Sequence, residues 1–438
     1  MSLSKVFRLL AVAGVLSALA SAPARAVPDP MMAAQVFAEA KAICARDKGP
    51  FWGEPLCGPM LLVDFRDRGV AANQADPSGT LKQQGPIWVG VYPEPNIVSA
   101  TPTEWEGVRW TQILWPMLPG DDQRHVMLAH EMFHRIQPGL HLTRPEAGNE
   151  HLDTLEGRYL LQLEWRALAA ALTAKTSSAR RSAIIDALLF RHERYRLFPN
   201  AEAGEGDLEV NEGVPEYTGV RLGLATPRER VRYALYDLGA YSDAPTLVRS
   251  FAYAIGPAYG LLLDKTDPSW RWKLATGPAP DKLLSLALKT PPPAFETIRA
   301  REAVYDDGAL RAHEVQRDHD KQAALAALQA RLVDGPVLVL PLHHATYQFR
   351  PQDLQPLDQS GTVFPSMTLE SDWGVLHVDH GGALLDQKMT VARVSAVGFD
   401  PATLKGDGWT LKLKPGWTIQ PGARSGDLVA KQTATDAK

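Results

Sequence analysis

Five consecutive residues, His130-Glu131-Met132-Phe133-His134, restrict what this chain can fold into more than any other stretch. On an α-helix, positions four apart stand one above the other on the same face. In that conformation His130 and His134 aim two imidazoles at one point, the HExxH arrangement. The flanking residues favour it: Asp121 and Asp122 supply an N-cap and a helix start, and Pro138-Gly139 is a stop signal. A helix is therefore expected over Val126–Gln137. Zinc accepts neutral imidazole nitrogen and prefers four ligands, one of them water where it is catalytic. Glu131 would project beside the metal, where a carboxylate can take a proton from water as general base. The plain alternative is an amphipathic core helix that happens to carry two histidines.

Two histidines leave such an ion short of a protein ligand. The best supply is Asn211-Glu212-Gly213-Val214-Pro215-Glu216-Tyr217. If this stretch is helical, Glu212 and Glu216 face the same way. One can bind zinc and the other can accept the second ring N–H of a ligand histidine, fixing its tautomer. The residues alone do not say which, and carboxylate pairs on surface helices are common.

At this point the chain resembles a known family. HExxH followed by NEGxxEY looks like the gluzincin zinc metallopeptidases, and more narrowly their aminopeptidase-N-like, or peptidase MA-like, group. Further on, Tyr253-Ala254-Ile255-Gly256 followed by an apolar run and Leu261-Leu262-Leu263-Asp264 is similar to the segment carrying that group's catalytic tyrosine. The resemblance covers about residues 108–270. It implies one zinc ion on His130, His134 and Glu212, Glu131 as general base, and Glu216 holding His130. It also implies that Tyr253 donates to the oxyanion formed from a peptide carbonyl, with Tyr259 as the rival. The substrate would be a peptide or protein. Three departures stand out. From His134 to Glu212 is 78 residues, which implies an inserted helical hairpin at about 150–198. Pro215 replaces a small residue, and Asn211 would then be the N-cap with Glu212 in the first turn. No GxMEN-like exopeptidase anchor lies upstream, so endo- and exo-cleavage both stay open. Uncharacterised bacterial gluzincin-like proteins with an EGxAEY-type motif are similar in style.

Ahead of this region, Lys5 and Arg8, the apolar Leu9–Ala20 and the Ala24-Arg25-Ala26 site read as a secretory signal over residues 1–26. The apolar run is too short to span a bilayer. Removing its three cations takes the formal charge from −4 to −7, with no basic block to attract nucleic acid. In an oxidising compartment, periplasmic or extracellular, the only cysteines, Cys44 and Cys57, read as one disulfide between a helix over Met31–Ala45 and the next strand. Two buried thiols are the alternative.

Met60–Phe65, Pro86–Tyr92 and Val108–Leu118 read as strands, the last as a cleft rim that could expose an edge to an extended peptide or be a plain core strand. Glu150–Ala174 and Ala179–Leu197 read as helices, and Glu156 and Glu164 on the first, which could be taken for metal ligands, read as surface carboxylates or as partners of Arg158 and Arg166. After a break at Pro291-Pro292-Pro293 comes more helix, including Asp318–Leu332. Short strands then begin at Val337, and the polar tail from Ala430 on reads as loose.

The expected fold class is α+β: a gluzincin-like catalytic domain over residues 27–334, its zinc-site half mostly helical, and a small all-β domain over 335–438. The expected activity is that of an exported, soluble zinc metallopeptidase. A non-catalytic binding or scaffold protein with a structural zinc helix, and a zinc hydrolase of a non-peptide amide or ester, are the other readings. A purely structural site uses four protein ligands and needs no base, so Glu131 separates the first of these from an enzyme.

Overall fold

Leucine and valine make Met60–Asp64 (β1) apolar on both faces, and all five of its residues are buried. A strand of that kind belongs inside a sheet. In the computed structural model it lies within six strands: β1, β2 (Gly69–Ala72), β3 (Lys82–Gln84), β4 (Ile87–Val91), β5 (Thr103–Trp105) and β6 (Val108–Trp115). Their order is β3-β4-β2-β1-β6-β5. Only β1 and β6 are parallel, in register from Met60–Thr111 to Asp64–Trp115. In the sheet order β6 stands between β1 and β5, but β5 pairs only with Val108–Trp110, short of the Thr111–Trp115 stretch that pairs with β1. Of the expected edge at Val108–Leu118, β5 covers the first three residues. β6 stops at Trp115 because Pro116 has no N–H to continue the ladder.

The structure describes residues 28–47, 51–94, 96–117, 120–145, 148–275, 277–289, 297–349 and 354–433. The expected signal over 1–26 and the break at Pro291–Pro293 lie outside them. The chain divides into two compact units between Gly308 and Ala309.

In the first unit, α1 (Pro30–Arg46) is capped by the Asp29 carboxylate. The second helix, α2 (Asp121–Ile136), carries the HExxH turn. Its N-cap is Gly120, with no side-chain cap, so Asp121 and Asp122 act in the first turn, where the helix dipole favours negative charge. α3 (Leu155–Thr173) and α4 (Ser177–Leu197) form the expected hairpin, each started by a threonine cap, Thr154 and Thr176. Next, α5 (Ala201–Leu208) runs through a wide π turn, Glu209–Gly213, into α6 (Val214–Gly223). Asn211 therefore sits inside a continuous helical stretch, and the expected N-cap there is corrected. α7 (Pro227–Ala240) opens with a Thr226–Glu229 capping box. It is followed by α8 (Ser250–Thr266), α9 (Trp270–Leu274), α10 (Pro280–Leu288) and α11 (Ile298–Tyr305).

Two glycines set the spacing of the helices around the HExxH turn. A Cβ on Gly219 would stand 2.6 Å from the Val126 carbonyl oxygen, so α6 crosses α2 almost backbone to backbone. A Cβ on Gly256 would stand 2.1 Å from the Gly213 oxygen, so α8 lies equally close to the π turn.

The α3–α4 hairpin buries charge rather than exposing it. Glu164 is 0 % exposed; it accepts hydrogen bonds from Arg191 (2.9 Å), Arg194 (2.8 Å) and the Tyr259 hydroxyl (2.7 Å). Glu205 accepts from Arg194 at 2.7 and 2.5 Å and faces His151 Nε2 at 2.7 Å. Arg191 also reaches Glu209 at 2.6 Å. The expected surface pairing of Glu164 is thereby corrected.

Cys44 and Cys57 are joined, tying α1 to the approach to β1 across 13 positions of sequence. Closing a loop of that size removes about 3 kcal/mol of chain entropy from the unfolded state. Replacing both cysteines by serine is expected to lower the melting temperature of the first unit by about 5–10 °C in a thermal scan. An unchanged melting temperature would contradict this.

The second unit begins with α12 (Ala309–Gln329) and a π turn, Ala330–Asp334. Leu332 is buried with Leu357, Val363 and Leu384, and Leu325 and Leu328 pack against them. The helix thus shares a core with the strands, and the expected boundary at 334/335 moves to 308/309. The seven-stranded sheet runs Trp417–Pro421, Leu428–Gln432, Val337–Pro341, Val391–Ser395, Ala383–Leu385, Thr362–Phe364, Gln355–Pro356. The five-stranded sheet runs Lys405–Gly406, Trp409–Leu413, Gly374–Val378, Met367–Ser371, Thr346–Phe349. Leu338, Leu369, Trp373 and Trp409 fill their common core. The expected loose tail is strand as far as Gln432. No helix among the described residues is long and apolar enough to cross a membrane.

Candidate metal centre

α2 presents His130 and His134 one turn apart, with Nε2 atoms only 2.9 Å from each other. Their other ring nitrogens are engaged. His130 Nδ1 lies 2.7 Å from Glu216 Oε2 on α6. His134 Nδ1 lies 2.7 Å from Gln137 Oε1. The Gln137 amide nitrogen donates to the carbonyl oxygens of Leu142, Val210 and Asn211, so its oxygen is the end turned to His134. Both Nδ1 atoms therefore donate, and both Nε2 atoms direct lone pairs at the same space. Two bare acceptors at that distance require a positive charge between them.

The third group is Glu212, from the π turn. Its Oε2 stands 3.7 Å from His130 Nε2 and 3.6 Å from His134 Nε2. A tetrahedral ion with ligand distances of about 2.0–2.1 Å separates its donor atoms by about 3.3–3.4 Å. The three observed separations straddle that value, and the donors, two imidazoles and a carboxylate, suit a borderline divalent ion. Among the described residues, His130, His134 and Glu212 are the one cluster of histidine, cysteine and acid side chains with ligand atoms close enough to hold a metal ion. Although burial opposes it, the neighbouring His130 and His134 rings and the hydrogen bond from Tyr253 hold the Glu212 carboxyl far below the usual carboxylate range.

Glu131 belongs to none of these contacts. It is buried, and its Oε2 has no hydrogen-bond partner among the described residues. Burial pushes its carboxyl up, against the pull of His130 and His134. The Tyr253 hydroxyl donates to Glu212 Oε2 at 2.7 Å, and its ring stacks on His130 with centroids 5.7 Å apart. Tyr259 is bound to Glu164 in the buried charge cluster and takes no part here.

A cleft of about 920 Å³ opens over the centre. His130, Glu131, His134, Glu212, Glu216 and Tyr253 all line it. So do residues that the sequence did not mark out: Gln137, Arg144, Arg249 and the α7 wall of Tyr233, Tyr236, Asp237 and Tyr241. Gln137 stands three residues after His134, and that helical spacing was a usable sign. The α7 residues stand at helical spacing from one another but from no residue of the centre, so nothing tied them to it. Asn211 ties the π turn to the loop after α2, exchanging hydrogen bonds with the Arg144 backbone at 2.8 and 3.0 Å.

No family model, curated protein or solved structure matches the chain.

Proposed function

We propose that this protein is an exported zinc metallopeptidase whose first unit is a gluzincin-like catalytic domain. The observation that carries the reading is the convergence of three ligand atoms, with both histidine Nδ1 atoms already held by acceptors, beside a Glu131 carboxyl whose Oε2 has no partner among the described residues, in an open cleft. Zinc bound by His130, His134 and Glu212 would supply Lewis acidity, polarising a carbonyl and easing the ionisation of water.

The chain's own residues supply the rest. Glu216 and Gln137 fix the two imidazoles in the tautomer that leaves Nε2 free. Glu131 takes a proton from the attacking water and returns it to the leaving amine, a use for the unpaired oxygen. Tyr253, hydrogen-bonded to Glu212, can turn its hydroxyl to the oxyanion. A structural site would have closed its fourth position with a protein ligand and would have no use for Glu131. The Cys44–Cys57 bond supports an oxidising compartment, in line with a signal over residues 1–26.

The test is metal content. Elemental analysis of the mature protein is expected to find about one zinc per chain, and a clear loss in Glu212→Gln. Zinc retained in that variant would move the third ligand elsewhere. No zinc in the wild type after reconstitution would overturn the proposal.

A further inference from the structure

α7 gives the cleft a wall of one chemical character. Tyr233, Tyr236 and Asp237 lie at helical spacings of three and four, and Tyr241 follows one turn after Asp237. All four line the cleft, and the Tyr233 and Tyr236 ring centroids are 6.2 Å apart. Asp237 is only 5 % exposed, and its Oδ2 has no hydrogen-bond partner among the described residues. An acid buried without a donor is unfavourable unless a ligand completes it. Burial, with the Glu216 charge adding to it, pushes this carboxyl up to about 9, as expected of a group that lacks a counter-charge.

The cations already in the cleft are committed elsewhere. Arg249 donates to Glu212, and Arg144 to the carbonyl oxygens of His141 and Leu274. The wall therefore offers a carboxyl and the electron-rich faces of tyrosine rings, with no resident positive partner for Asp237. Such a surface complements a cation on an apolar stem.

Resting on the reading of the cleft as a peptide site, we propose that this wall is a subsite for a cationic group of the substrate. A primary ammonium or guanidinium would sit against Asp237 between the tyrosines. It could come from a lysine or arginine side chain or from a free amino terminus.

Calorimetric titration of the full chain with three small probes separates these cases. Acetyl-lysinamide carries the cation on the side chain, leucinamide carries it at the amino end, and acetyl-norleucinamide is neutral. At least one cationic probe is expected to bind about tenfold or more tighter than the neutral one. Preference for the first assigns the subsite to a side chain, and preference for the second to an amino terminus. Asp237→Asn is expected to abolish the preference. Tyr236→Ala, at a position 57 % exposed, is expected to weaken the same probe several-fold, and it carries the test alone if the first variant fails to fold. Equal binding of all three probes, or a preference that survives both substitutions, overturns the proposal. None of the probes needs to be cleaved, so cation preference without any peptide hydrolysis keeps the subsite and counts against the peptidase instead.

Discussion

Glu131→Gln is expected to keep its zinc and lose about 10²–10⁴-fold in turnover on a peptide substrate, the range for removal of a general base. The substitution preserves shape and helix propensity and removes only the basic oxygen. Glu131 is outside the ligand cluster of His130, His134 and Glu212, so metal content should match the wild type. Stability should hold or rise, because a buried carboxyl without a partner on one oxygen is replaced by a neutral amide. Three readouts therefore move differently: turnover falls, zinc stays and the melting temperature does not drop. A variant with full turnover would remove Glu131 from the mechanism, and one that lost zinc would make it a ligand. Glu212→Gln gives the complementary pattern, with metal and turnover lost together.

The second large effect is on folding. Arg194→Met should destabilise the first unit by about 3–5 kcal/mol, the cost of stranding a buried charge. Arg194 is fully buried between Glu164 and Glu205 and makes charge-assisted hydrogen bonds to both. Methionine fills much of the volume but leaves Glu205, among the described residues, with His151 as its remaining hydrogen-bond partner. A fall in melting temperature of about 10 °C is expected, and pairing the change with Glu205→Gln should recover part of it. A shift within experimental error would show the cluster to be energetically idle.

The same pair also gives the wild type an acid limit. Although burial alone would raise it, Arg194 holds Glu205 down to about 2, below its ordinary 4.5. The stabilisation is therefore fully present above pH 4.5 and is lost as pH falls towards 2.

What could be read in the sequence was what depends on neighbours within one or two helical turns. The HExxH helix and the hairpin of α3 and α4 follow from spacings of three and four residues, whereas Glu216 at His130 was implied only by the family resemblance. Glu164 was unreadable because its environment comes from α4 and α8, both distant in sequence. An isolated strand pattern likewise cannot say that β5 will pair with the first three residues of β6. The α7 wall escaped notice because tyrosines and an aspartate at helical spacing look like any half-exposed helix face until the cleft is seen in front of them.

The π turn at Glu209–Gly213 sets how the two acids meet one imidazole. In a regular helix, Glu212 and Glu216 would stack along one side, about 6 Å apart in rise. Here one faces Nε2 of His130 and the other Nδ1, so the ring is held at both nitrogens. A π turn is in effect a single extra residue accommodated within an α-helix. The centre is therefore one deletion away from extinction. A descendant could keep every histidine and glutamate named here, lose a residue at Val210, and have a tidy helix and no metal. On the proposed reading, the length of that turn would separate relatives able to hold the ion from those that cannot when the motifs themselves could not.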